Sequence, residues 1–377
     1  MLDRREFLSS AVAAALAASP MVRAAAPKRG FTEQAYANAV VIDALGGPGG
    51  FEPDRTEPGF SAKALADAKA SGVTAVNLTV NIVGNGPRKF EETVAEIAFA
   101  ERMIGDHPDH FMKVLKGADL KTAKDSGRMG FIYGFQDTSS LDGDLERLAV
   151  FHGLGVRIVQ PVYNRRNLMG DGCLEPANGG LSTLGRELIA EINKQKILLD
   201  LSHAGARTQA EGIAASKSPM AITHTGCRAL VDVPRNTHDS ELKAVADRGG
   251  VVGIYFMPFL NLSGHATAAD VVAHIEHALQ VCGEDHVGLG TDGGTTQIDD
   301  LEAYKAALAK EHEDRVKAGI SAPGERADTH PFVDDLRGPD QFRKLARLLA
   351  ARGHKTARIE KILGGNFVRY ARDIWGA

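Results

Sequence analysis

Between residues 39 and 290 one pattern recurs eight times: a short apolar run, then a more polar stretch long enough for a helix. The runs are 39–42, 73–80, 130–134, 156–160, 197–201, 220–223, 249–255 and 286–290. Continuous apolar runs of this length suit strands covered on both faces, and their alternation with helices calls for parallel pairing. Eight such units close most simply into a TIM-like (β/α)8 barrel, an α/β fold, with additional C-terminal helices expected at 341–352 and 356–363. An open doubly wound sheet is the competing arrangement. Against it, the first run is followed by Gly46-Gly47-Pro48-Gly49-Gly50, which lacks the glycine spacing of a dinucleotide site.

Three of the runs end in side chains able to bind a cation. Residues 197–201 lead into Ser202 and His203, 220–223 into His224, and 286–290 into Thr291 and Asp292. In a parallel barrel the C-terminal strand ends meet at one mouth, so these residues converge there. Two imidazoles and a carboxylate are what a divalent ion such as zinc accepts. A lone histidine at a strand end is more often a hydrogen-bonded structural residue, and the weight here comes from three termini meeting in one place. Two further runs deliver Gln136 with Asp137, and Tyr163 with Asn164, to the same mouth. His265, His274, His277 and His286 lie on or beside a helix and read as capping, packing or surface residues. Arg165 and Arg166 read as solvated loop residues, and Cys173 sits in a mouth loop without an assignable base.

The 377 residues carry a net charge of −4 with no concentrated basic block, which argues against a nucleic-acid partner. The first 26 residues read as a signal peptide: Arg4-Arg5 precede an Ala-rich apolar run, and small residues at 24–26 offer a cleavage site. That is the twin-arginine export pattern, and it places the barrel domain, 27–377, in the periplasm or otherwise outside the cytoplasm. Export of an already folded chain suits one loaded with a metal. The apolar run falls short of the ~20 residues a membrane span needs, so no stable span is expected after the signal is removed. Three cysteines, Cys173, Cys227 and Cys282, leave open a single bridge whose pairing the sequence does not choose. A homodimer is equally left open.

Asp200-Leu201-Ser202-His203, Thr223-His224, Pro234-Arg235-Asn236, Gly288-Leu289-Gly290-Thr291-Asp292 and Gly364-Gly365-Asn366-Phe367 occur in the order and at the intervals seen in the membrane (renal) dipeptidases. The chain resembles that family from about Tyr36 to Trp375. The resemblance implies a barrel of the amidohydrolase type that hydrolyses dipeptides with zinc. It implies that His203 and His224 ligate one ion and that Asp292 is the carboxylate of the other. Arg235 is similar to the arginine that grips the substrate's terminal carboxylate, a task suited to a planar bidentate fork.

The departures fall on the metal ligands. Leu45 and Gly47 stand where the family carries a ligating His-x-Asp, Gln136 stands where a glutamate bridges two ions, and Tyr163 replaces a substrate-contacting histidine. A neutral amide supplies no charge to hold two cations together. Three outcomes stay open. One divalent ion, and no more than one per chain, sits on His203 and His224 with Asp292 and Gln136 nearby. Alternatively Asp43 or Asp137 swings in as a replacement ligand. In the third outcome the barrel has lost hydrolysis and binds a peptide-like or aromatic small molecule or performs other chemistry on it. The leading expectation is a metal-dependent hydrolase acting on a dipeptide or similar small amide, with Asp292 as general base and Arg235, Tyr163 and Asn164 contacting substrate.

Overall fold

The computed structural model describes residues 30–49, 59–84, 88–317, 321 and 326–376; the expected signal peptide lies outside them. Eight parallel strands form the barrel: β1 (Ile42–Asp43), β2 (Ala75–Thr79), β3 (Met129–Phe135), β4 (Val156–Val159), β5 (Leu198–Leu199), β6 (Ala221–Thr225), β7 (Val251–Ile254) and β8 (Val287–Leu289). A parallel bridge from Asp200 to Ala221 joins β5 to β6. The ring closes where Ala44 N donates to Leu289 O at 2.8 Å, and next to that seam Gly46–Gly47 pairs with Gly293–Gly294. Each of the eight apolar runs thus became a barrel strand. A short accessory strand, Phe111–Lys113, pairs with the first half of β3 and had no counterpart in the sequence reading.

Strand alternation sorts the side chains. Val76, Phe131, Tyr133, Val159, Ile222 and Val252 join the core that packs under the helices. Ile42, Ala75, Ile132, Ile158, Leu198, Ala221 and Val251 form a separate cluster in the barrel interior. The C-terminal helix, Asn366–Trp375, completes that cluster with Phe367 and Tyr370, so one end of the barrel is filled with apolar side chains. Further along the interior becomes polar. Gly134 exists as glycine because a Cβ there would lie 1.9 Å from Asn77 Oδ1, and Asn77 in turn donates to Ala44 O. The polar, charged stretch expected at 299–338 contains a helix, Leu301–Lys317, that the sequence reading left unassigned.

The three cysteines are all free, so the bridge left open by the sequence does not form. Among the described residues no helix is long and apolar enough to cross a membrane.

Candidate active site

The last residues of β5 and β6 are tied together by one buried carboxylate. Asp200 accepts from Ser202 N at 3.1 Å, Thr223 N at 3.0 Å and Thr223 Oγ1 at 2.7 Å, and from the Ser202 hydroxyl. This fixes the chain on either side of His203 and His224. Because the Thr223 hydroxyl proton goes to Asp200, Thr223 Oγ1 accepts from His224 Nδ1 at 2.9 Å. His203 Nδ1 likewise donates to Asn164 Oδ1 at 2.7 Å. Both protons therefore sit on Nδ1, and the two Nε2 lone pairs face each other across 2.9 Å. Burial and the neighbouring Arg235 charge hold both imidazoles well below their ordinary pKa, which keeps those lone pairs available.

Arg235 is buried beside them. Its guanidinium donates to Ser202 O at 2.9 Å, lies 3.3 Å from His203 Nε2 and 5.8 Å from the centre of the Tyr255 ring. Tyr163 packs its ring against His203 with centroids 4.1 Å apart. Cys173 Sγ lies 3.6 Å from Asn164 Oδ1, and burial raises its thiol pKa, which leaves it a poor nucleophile.

Asp292 enters from the closing seam. Its N donates to Leu45 O at 2.8 Å, and its φ of 57° is a left-handed conformation that a non-glycine residue adopts at a cost. The seam is held by Asp43, which accepts from Thr291 N at 2.7 Å and Thr291 Oγ1 at 2.6 Å. Burial raises Asp43 to about 7 against those hydrogen bonds. Burial also raises Asp292, while Arg235 and Arg315 pull it down.

Tyr163, Asn164, His203, Arg235 and Asp292 line one cavity of about 230 Å³, a dipeptide-sized space at the small end of ligand pockets. Its roof was missed by the sequence reading. Leu308, Glu311, His312 and Arg315 reach into it from the helix Leu301–Lys317, and Arg326, Thr329 and Pro331 close one side. The three-to-four-residue spacing of the helix positions was the only available signal.

The donors partly fit a metal ion. Two bare Nε2 atoms 2.9 Å apart are close to the ~3.3 Å edge of a tetrahedral zinc site with 2.0–2.1 Å bonds. Gln136 Oε1 is buried without a protein partner, as a neutral oxygen donor would be before an ion arrives. Yet Gln136 does not line the cavity, its Nε2 being held by Thr79 Oγ1 at 2.9 Å. Among the described residues no third His, Cys, Asp or Glu places a ligand atom within 4.8 Å of both imidazoles, and Asp292 shares the cavity wall with His203. Neither candidate replacement ligand is released: Asp43 is held by Thr291, and Asp137 by Gly84 N, Ser139 and Asn81.

The membrane dipeptidase family model (peptidase family M19) matches residues 60–316. The chain belongs to that family. This membrane dipeptidase-family chain is similar to an amidohydrolase of known structure from Pseudomonas aeruginosa, 33% identical with a TM-score of 0.76, covering 91% of this chain and 99% of that one. A metallopeptidase from Rhodobacter sphaeroides, solved with a phosphinate mimic of the dipeptide L-Ala-D-Ala, shares the fold at 19% identity and a TM-score of 0.72, covering 89% and 99%. A dipeptidase of Claviceps purpurea is 26% identical over 287 residues, which are 75% of this chain and 60% of that enzyme's length. The chain is thus a metallo-dipeptidase-like hydrolase on a TIM-like barrel.

Proposed function

We propose that this chain is an exported hydrolase of dipeptides or similar small amides that works with one divalent ion, zinc by its nitrogen donors, at the barrel mouth. The observation that carries the reading is that His203, Arg235 and Asp292 share one cavity of about 230 Å³, with His224 presenting its lone pair to His203 just behind. His203 and His224 would hold the ion, which when bound would acidify water and polarise the scissile carbonyl. Arg235 binds the terminal carboxylate and sets the amide against Asp292. Asp292, whose pKa burial raises, takes a proton from the attacking water and passes it to the departing amine. The water oxygen bonds to the carbonyl carbon, the C–N bond breaks, and two smaller molecules leave. Tyr163 covers His203, and Asn164 keeps that ring in the tautomer the ion requires.

The test is a panel of dipeptides assayed with zinc-loaded protein. Cleavage that disappears in Asp292→Asn while binding persists supports the reading. Cleavage untouched by that variant overturns it. The Arg4-Arg5 leader supports export through the twin-arginine route, and cell fractionation of the tagged full chain, with the protein in the periplasm, tests that part.

One observation favours a second reading, a barrel that binds its small molecule without hydrolysis. The Arg235 guanidinium stands 3.3 Å from His203 Nε2, where its charge opposes that of a bound cation. Binding of a dipeptide without turnover, at full zinc loading, would select it.

A further inference from the structure

We propose a second divalent-cation site, outside the barrel mouth, formed by His265, His330 and Asp334. Each of the three offers a ligand atom within 4.8 Å of the other two. The two histidine rings meet edge to face with centroids 5.8 Å apart. His330 is held in place on both sides: its ring stacks on Phe332 at 5.0 Å, and its Nδ1 lies 2.8 Å from Asp334 Oδ1. Its side chain is only 13% exposed, whereas those of His265 and Asp334 are 41% and 48% exposed, so an ion can enter from solvent. A fourth oxygen stands close by, with Asp328 Oδ2 3.8 Å from His265 Nε2. Arg326 approaches His265 Nε2 to 3.4 Å, but Asp328 engages its guanidinium through two contacts of 2.7 and 3.0 Å.

Two imidazoles with carboxylate oxygen select a borderline ion such as zinc over calcium or magnesium, which prefer all-oxygen shells. The site's place in the fold gives it a consequence. His265 belongs to the loop between β7 and the helix Ala268–Cys282, while His330 and Asp334 belong to the segment whose Arg326, Thr329 and Pro331 wall the substrate cavity. Two hydrogen bonds join the segments beside the site: Asp334 N to Ala266 O at 3.4 Å, and Ala268 N to Asp335 Oδ1 at 2.7 Å. An ion bound by all three side chains clamps this cavity wall to the barrel and makes the melting temperature depend on zinc concentration.

The experiment uses the full-length chain stripped with a chelator and titrated with zinc chloride by calorimetry. Replacing His203 and His224 together by Ala removes the barrel-mouth ion, and the expected result is that one equivalent of zinc still binds. Adding His330→Gln abolishes that equivalent, and adding instead His265→Gln, at a side chain 41% exposed, weakens it about tenfold or more. Excess magnesium does not displace it. The proposal is overturned if the doubly substituted protein binds no zinc, or if its remaining equivalent survives both His265→Gln and His330→Gln with unchanged affinity. Circular dichroism confirms that each variant is folded.

Discussion

His203 Nε2 and His224 Nε2 stand 2.9 Å apart with both Nδ1 protons directed away from each other, to Asn164 and Thr223. Two lone pairs aimed at one point in a buried pocket repel each other unless something positive lies near them. Arg235 provides part of that charge and a divalent ion can provide more. Under the proposed function the pair supplies two ligands of one divalent ion.

The barrel mouth is expected to hold one ion, lost on His203→Ala or His224→Ala. Elemental analysis of protein whose rim histidines His265 and His330 are replaced isolates this ion from the one proposed there. Two equivalents in that background would show that the mouth still builds a dinuclear centre.

Restoring the family's ligands, with Leu45→His, Gly47→Asp and Gln136→Glu, is expected to add a second mouth ion and raise dipeptide hydrolysis on the order of 10²-fold, or ~2.7 kcal/mol of transition-state stabilisation. Gly47 has room for the change, since a Cβ there meets only Leu78 Cδ1 at 3.6 Å. Gln136→Glu places a charge where an oxygen already lacks a partner. The readouts are metal content and kcat; a triple variant that gains the ion but no rate would separate metal binding from the chemistry.

Arg235→Lys keeps the charge and loses the planar fork. KM for dipeptides should rise on the order of tenfold to hundredfold with a smaller change in kcat, because the carboxylate is gripped equally before and during reaction. Comparing a free dipeptide with its C-terminal amide checks the cause: the wild type should prefer the free acid, and the variant should not.

In the metal-free protein, stability should climb as pH rises through the range below 6.5. His203 and His224 are held below their ordinary pKa by burial and by Arg235, so the unfolded chain takes up protons first, costing up to ~1.4 kcal/mol per pH unit for each ring. Asp43 works the other way. Its pKa is raised to about 7, so its favourable contribution is complete below the unfolded carboxyl pKa and is lost as pH rises through 7. Asp43→Asn should therefore steepen the climb in Tm between pH 5 and 6.5, and His203→Gln with His224→Gln should flatten or reverse it.

The barrel was legible because its strands are apolar on both faces, and a run such as 130–134 has no alternative but burial. Phe111–Lys113 was not, because it is three residues long, lies between polar residues and takes its place through pairing with β3 and burial of Phe111 in the core. The cavity roof escaped for a related reason. Leu301–Lys317 is a polar helix with Tyr304 as its one buried residue, and no local pattern says that Leu308, His312 and Arg315 lie over Asp292. The rim cluster was hidden as well, since His265 and His330 are far apart in the chain and each alone reads as a surface residue.

By itself the sequence determined which chemical groups are present at the strand ends: His203, His224, Asp292 and Arg235 retained, Leu45, Gly47 and Gln136 where ligands would stand. Residue type survives any folding argument, so a neutral Gln136, where the resemblance implies a bridging glutamate, could be read without coordinates. Only the tertiary structure decided which ring nitrogens face each other, that Asp43 and Asp137 are engaged in strand-end hydrogen bonds, and that Arg235 lies against His203. Hydrogen-bond direction and ligand spacing depend on a few ångströms between segments distant in sequence, and those distances are set by how the barrel closes.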